Sequence, residues 1–353
     1  MKVLLVSPLP PPSGGLATWT EELVKYTSRT ELEIDVVNTS LTGQRATLKG
    51  GKIHISDELS RSIRIIRDMI KHISQKKYDA VHVNTVCSTK GMLRDLICMC
   101  VCGRTPIVLQ CHCNVSDWIG QKKAAIFLFR ELAKRAERIL VLNSQSQIAV
   151  KEITDRESIC VPNFLASDLQ HPKQKTVRER IEQVIYVGRV RAAKGVVELL
   201  ETANQMPDVH FTVIGSVDDE ISRMKIPSNV CLAGEKSHAE VEEELEKADV
   251  FLFPSYSEGF SIALLEAMRA GLPVVATDVG ANADMLGDHG GVIVPARNVA
   301  EIVNALRSIQ SPEIRREMSE HNIQKVRDTY SVCAVVDTLK TIYDAVQPKG
   351  HSL

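Results

Sequence analysis

Twelve short apolar runs, most of them followed by a stretch with helical periodicity, constrain this chain more than any other feature. In the first half they are Lys2–Ser7, Glu33–Asn38, Ala80–Asn84, Pro106–His112, Arg138–Leu142 and Ser158–Val161. In the second half they are Gln183–Gly188, Val209–Gly215, Val230–Ala233, Val250–Pro254, Pro273–Ala276 and Gly291–Pro295. Runs this short and this apolar read as strands buried on both faces, and the helical segments between them supply the crossovers that parallel strands require. The expected fold class is α/β: two doubly wound, Rossmann-like parallel-sheet domains in tandem, facing across a cleft outside the carboxyl ends of the strands.

The length of 353 residues suits two domains. Pro162, Pro172 and the polar stretch Ser167–Thr176 place the linker, giving domains at 1–167 and 168–330. The segment after 310 reads as two helices, 312–328 and 332–346. With 44% apolar and 25% charged residues, the composition excludes disordered, collagen-like and coiled-coil chains. No apolar run approaches the roughly 18 residues of a membrane span, and MKVLLVSPLP reads as a first strand rather than an export signal. Nine cysteines without such a signal point to a reduced, cytoplasmic setting. Cys98, Cys100, Cys102, Cys111 and Cys113 lack the CxxC spacing of zinc sites, so they are expected to be small buried hydrophobes and no metal ligand set is assigned.

Three segments carry chemistry. Val250–Met268 (VFLFPSYSEGFSIALLEAM) is a strand, a loop with Glu258, and a helix beginning near Ser261. Free N–H groups at that helix start make an anion site, and Glu266, inside the helix, could accept hydrogen bonds from a vicinal diol such as a ribose. Val187–Gly195 (VGRVRAAKG) sets Arg189 and Lys194 at a strand end, where a planar guanidinium and a mobile ammonium can meet phosphate. In Pro8–Leu16 (PLPPPSGGL), Gly14 and Gly15 would let backbone approach a ligand, without the GxGxxG spacing of dinucleotide folds. His112 ends another strand, with Asn143 and Ser144 after the next.

Taken together, the Gly14-Gly15 loop, GRxxxxKG from Gly188 to Gly195, and PSxxEGFxxxxLEAMxxGxPVVATDVG from Pro254 to Gly280 resemble the nucleotide-sugar-dependent glycosyltransferases of family 4 (group 1), which have the GT-B fold. The match runs from Gly14 to about Leu306. The resemblance implies retaining transfer of a sugar from a nucleoside diphosphate, UDP or GDP, to a carbohydrate or lipid-linked acceptor in surface polysaccharide assembly, with no nucleic-acid partner and no cofactor beyond that co-substrate. It implies that Glu266 holds the ribose and that Arg189 and Lys194, beside Gly188, bind the diphosphate. Glu258 and the N–H groups of Phe260, Ser261 and Ile262 would contact sugar and β-phosphate. Gly15, after Gly14, would approach the phosphates, His112 would hydrogen-bond the transferred sugar, and 332–346 would pack back on the first domain. Two departures stand out: Gly280-Ala281-Asn282-Ala283-Asp284 where the family often has Gly-Gly and Glu, and Ser261 where glycine is frequent.

The chain contains no Asp-x-Asp, so Arg189, Lys194 and a helix N-terminus are expected to stabilise the departing diphosphate without a metal. Two other activities fit the same segments, a nucleotide-sugar epimerase and a catalytically silent nucleotide-sugar sensor.

Net charge is −1 overall, but residues 1–167 hold 23 Lys+Arg against 16 Asp+Glu, a net +7. Arg61–Lys77 contributes six cations against one aspartate, with Ile63, Ile66, Ile70 and Ile73 at helical spacing, and Lys122–Arg138 six against two glutamates. Two readings stand: sheet-covering helices with solvated outer faces, the commoner outcome, or a surface resting on an anionic membrane beside a lipid-linked acceptor.

Overall fold

The structure is a computed structural model and describes residues 1–11, 14–40, 55–119, 122–165 and 175–347. The linker expected around 167–176 lies mostly outside the described residues. The chain forms two compact units, Met1–Ala166 with Val332–Leu353, and Ser167–Ser331.

The first unit alternates β1 (Lys2–Ser7), α1 (Gly15–Thr27), β2 (Glu33–Asn38), α2 (Ile55–Gln75), β3 (Ala80–Thr85), α3 (Thr89–Val101), β4 (Ile107–Cys111), α4 (Val115–Ile119), α5 (Lys123–Arg135), β5 (Arg138–Val141), α6 (Ser144–Thr154) and β6 (Ile159–Cys160). The second runs β7 (Gln183–Val187), α7 (Val196–Gln205), β8 (His210–Ile214), α8 (Asp219–Ser222), β9 (Val230–Gly234), α9 (His238–Lys247), β10 (Val250–Phe253), α10 (Ile262–Arg269), β11 (Val274–Thr277), α11 (Asn282–Leu286), β12 (Gly291–Val294), α12 (Val299–Ser308) and α13 (Pro312–Thr329). The closing helix, α14 (Val332–Val346), belongs to the first unit. Short helices α4, α8 and α11 have no counterpart in the sequence reading, because four or five residues hold too little periodicity to be seen.

Each unit is built on a six-stranded parallel sheet, β2-β1-β3-β4-β5-β6 and β12-β11-β10-β7-β8-β9. Alternate strand residues feed opposite layers, as the two-residue period of a strand demands. In the first unit Leu4, Val6, Val81, Val83, Leu109 and Val141 point into a core covered by α2 to α6. Val3, Leu5, Ala80, Val108 and Leu140 point the other way, under α1 and α14. Helix α14 is tied to that face by Tyr343, whose hydroxyl lies 2.6 Å from Nδ1 of fully buried His82. Local chemistry places the helix starts: Ser88, Asn143, Ser237, Ser261, Asn298 and Ser311 each cap a helix, and Pro312 opens α13.

Strand order reverses between β7 and β10 in the second sheet, and between β1 and β3 in the first. Loops leaving the carboxyl ends there diverge to opposite faces of the sheet, opening the crevice where open α/β sheets take ligands. In the second unit those loops are 188–195 and 254–261; in the first they follow Ser7 and Thr85.

Candidate active site

The second unit brings its candidate residues together around Glu258. After β7 the chain makes a 3-10 turn at Ala192–Lys194 and enters α7 through Gly195 at φ 70°. A Cβ there would stand 1.9 Å from the Pro254 carbonyl oxygen, so only glycine lets the two loops touch. The contact continues through the Tyr256 N–H, which donates to the Ala193 carbonyl at 3.2 Å. Lys194 Nζ thereby reaches Glu258 Oε1 at 2.5 Å, with both side chains largely buried. A third loop, after β11, supports Glu258 from behind. Gly280 has φ 55°, and a Cβ would fall 2.2 Å from the Glu258 carbonyl oxygen. The Ala281 N–H donates to the Gly259 carbonyl, and Asn282 Nδ2 to that of Thr277. The departure from the family pattern at 280–284 is therefore a tight turn into α11.

Helix α10 begins at Ile262, one residue later than the sequence suggested. Ser261 is its cap, accepting from the Leu264 N–H at 3.2 Å through its own hydroxyl. The first-turn amides of Ile262 and Ala263 have no acceptor within the helix, which leaves a partial positive charge at this end. The Phe260 ring packs edge-on against Tyr330, ring centroids 5.7 Å apart. Glu266 lies one turn along the helix, mostly buried, with Oε1 3.2 Å from Nε2 of exposed His238 at the start of α9. Burial raises the Glu266 carboxyl above the usual carboxylate range; His238 and Arg269 oppose that shift, and Glu242 adds to it.

The two cations expected to act together each have a carboxylate partner of their own. Exposed Arg189 pairs at 3.0 Å with half-buried Asp218. Its backbone carbonyl accepts from the Tyr186 hydroxyl. Gly188 is required by that turn, since it has φ 154° and a Cβ would lie 2.8 Å from the same hydroxyl. Arg191, which the sequence reading passed over, keeps a buried Nε with no hydrogen-bond partner. It and Glu258 both act electrostatically on the Tyr186 phenol, whose pKa burial pushes up. The only signal for Arg191 was a third cation in the same loop.

In the first unit, His112 follows β4 and Nε2 lies 3.2 Å from Asn84 Oδ1. Asn84 Nδ2 donates to Ser7 Oγ, which lies 2.6 Å from Thr20 Oγ1, and Thr20 in turn donates to the Leu16 carbonyl. A hydrogen-bonded line thus joins His112 to the first turn of α1, immediately after Gly14 and Gly15. Trp19 meets the imidazole edge-on at 4.9 Å. Burial, and then the neighbouring His82, push the His112 pKa down to about 3, so the ring is neutral at physiological pH. Neither Gly14 nor Gly15 is demanded by packing: a Cβ at either meets nothing within 4 Å, and Gly14 has φ −176°. Asn143 caps α6 through the Ser146 N–H.

Cys98, Cys102, Cys111 and Cys113 are buried as expected, but Cys100 faces outward, because α3 turns alternate positions to different sides. Among the described residues no group of three or more His, Cys, Asp or Glu is arranged to hold a metal ion.

Residues 168–326, nearly the whole second unit, match the family model of the glycosyl transferases group 1. The chain is a glycosyltransferase. Among its relatives is the UDP-Gal:α-D-GlcNAc-diphosphoundecaprenol α-1,3-galactosyltransferase of Escherichia coli, 25% identical over 322 residues that cover 81% of each chain. Solved structures of the same fold include sucrose-phosphate synthase from Thermosynechococcus elongatus (TM-score 0.76, 16% identity, 98% of both chains). Another is Anabaena HepE in complex with UDP and glucose (TM-score 0.72, 17% identity, 98% of this chain and 100% of that one). The two parallel six-stranded sheets of the glycosyltransferase are thus those of the GT-B fold. Among its described residues, no helix is long and apolar enough to cross a membrane.

Proposed function

We propose that this glycosyltransferase moves a hexose or N-acetylhexosamine from a UDP- or GDP-sugar to a lipid-linked carbohydrate acceptor, with retention of anomeric configuration and without a divalent metal. The observation that carries this reading is the convergence, at the strand-order reversal of the second sheet, of Lys194, Glu258 and the start of α10, with Glu266 one turn along that helix.

Each group has a chemical task. Ionised Glu266 accepts hydrogen bonds from the ribose diol. Lys194 and the amides of Ile262 and Ala263 bind the diphosphate, with Arg189 and Arg191 at the rim. These positive groups are fixed before the reaction, so they favour the extra charge that the diphosphate gains as the bond to the anomeric carbon breaks. Glu258 holds Lys194 in place and offers its second oxygen to a sugar hydroxyl. Gly15 admits a phosphate close to the backbone, and neutral His112 donates to or accepts from the transferred sugar. The acceptor hydroxyl then attacks the oxocarbenium-like carbon from the face the leaving group vacates, and its proton passes to a phosphate oxygen of that leaving group. The diphosphoundecaprenol acceptor in the name of the Escherichia coli relative supports a lipid-linked acceptor.

The test is transfer from UDP- and GDP-hexoses to a polyprenyl-diphosphate sugar in excess EDTA, with the product anomer assigned by NMR. An α-linked product from an α-donor is expected. A β-linked product would refute retention, and activity restored only by manganese or magnesium would refute metal independence. Saturable donor binding without transfer to that acceptor would refute the lipid-linked acceptor.

A further inference from the structure

Eleven large apolar side chains are exposed among the described residues, and eight of them lie on α2 to α6, the helices covering one face of the first sheet. None lies on α1 or α14, which cover the other face, and only two lie in the second unit. On α2 the outward residues are Leu59, Ile63 and Ile70, at helical spacing. On α3 they are Leu93 and Ile97, one turn apart. Phe127 of α5 and Trp118 of α4 continue the set, and all seven are 41–61% or, for Phe127, 63% exposed. Helices α2 and α3 pack against each other, as do α3 and α5, and α4 and α5, so the outward stripes belong to one continuous layer. Exposed apolar surface gathered this way marks an interaction face rather than scatter.

Cations are interleaved with these residues. Arg67 and Lys71 flank Ile70, Lys90 precedes Leu93 by one turn, and Lys123 stands one turn before Phe127; all are exposed. The nearby acids are mostly engaged: Glu58 with Arg61, Asp68 with Arg64 and Arg67, and Glu131 with Lys134 and Arg135. Arg64, for all its place in the basic run, is not part of the face, because its guanidinium donates to the carbonyls of Asn38 and Ser40.

We propose that the outer face of α2, α3, α4 and α5 docks on an anionic lipid bilayer, its apolar side chains entering the headgroup–acyl boundary and its cations meeting lipid phosphates. The proposal rests on the lipid-linked acceptor read above for the presence of a membrane, and on the surface itself for everything else. Charge selects the occupant. A symmetric dimer through this face would set each cationic stripe against its own copy, whereas an anionic bilayer supplies both the counter-charge and an apolar interior.

The chain has two tryptophans, and Trp19 is buried, so a change in emission on binding reports Trp118. The full chain is mixed with phosphatidylglycerol vesicles, phosphatidylcholine vesicles, or neither. Expected are cosedimentation with the anionic vesicles, a blue shift, and quenching by brominated acyl chains. Ile63→Glu with Phe127→Glu should lower vesicle partition tenfold or more, and Arg67→Gln with Lys71→Gln roughly fivefold per cation, given the usual attraction of about 1 kcal/mol each. UDP binding and transfer to a water-soluble acceptor should be unchanged in all variants, which separates this proposal from the proposed reaction. Three results would overturn it: no binding to anionic vesicles, binding that ignores the substitutions, or a lipid-free dimer in sedimentation velocity that Ile63→Glu abolishes.

Discussion

Lys194 Nζ lies 2.5 Å from Glu258 Oε1, although 64 residues separate them, because Gly195 and Pro254 let two strand-end loops touch. The pair is poised rather than spent: the ammonium keeps two further N–H donors and the carboxylate a second oxygen. Lys194→Ala should lower the catalytic rate by ~10²–10³, the usual loss for one preorganised stabiliser of a leaving group. It should weaken binding of the uncharged nucleoside little. Steady-state kinetics beside nucleoside calorimetry measure both, and equal small effects would return Lys194 to a structural ion pair.

Two glycines should behave in opposite ways. Gly280→Ala forces a Cβ against the Glu258 carbonyl at φ 55°, and should destabilise the fold by ~1–3 kcal/mol and displace Glu258. Gly15→Ala meets open space at the first helical position of α1, so stability should hold or rise by ~0.5 kcal/mol. Turnover should nevertheless fall, if donor phosphate approaches the backbone there. Denaturant melts paired with turnover separate the cases; full activity in a stable Gly15→Ala protein would remove that loop from the site.

The alternating fold was legible because buried parallel strands must be short and apolar and their crossovers helical. The placement of Glu258, Lys194 and Glu266 was legible because each sits in a strand–loop–helix unit whose geometry local sequence decides. His238 was not. It is an exposed residue at the start of α9, 28 positions before Glu266, and only the packing of α9 beside α10 brings the two within 3.2 Å. The face of α2 to α5 was half legible: charge and helical spacing marked the basic runs, but which isoleucines turn inward depends on the sheet. Ile65 is buried and Ile63 exposed, and Arg64 folds back onto the ends of β2.

His238 should tune the pH range of donor binding. Because burial raises the Glu266 pKa, protonation begins at higher pH than for an ordinary glutamate, and donor affinity should fall as pH falls through that raised value. His238→Ala removes a group that opposes the shift, so the fall should begin at still higher pH. Calorimetric titration of UDP across pH tests this; superimposable profiles for the two proteins would show that His238 does not act on Glu266.

His82 should set part of the acid sensitivity of the fold. Burial depresses its pKa to about 3, against an ordinary 6.5. Below pH 6.5 the unfolded chain takes up a proton that the folded one refuses, so stability is intact above that value and is lost as pH falls toward 3, by about 1.4 kcal/mol per pH unit. His82→Asn, which can retain a partner for Tyr343, should flatten the dependence by about one proton between pH 6 and 4. Urea unfolding at stepped pH gives the slope, and an unchanged slope would assign the acid loss to other groups.

The most direct test of the donor site is the affinity of UDP and GDP, measured by calorimetry, for the native chain and for Glu266→Gln. A ribose held by the ionised carboxylate predicts saturable binding that weakens by about tenfold to a hundredfold, the worth of a charge-assisted hydrogen bond of roughly 1.5–3 kcal/mol. Unchanged nucleotide affinity in a folded Glu266→Gln protein would contradict it.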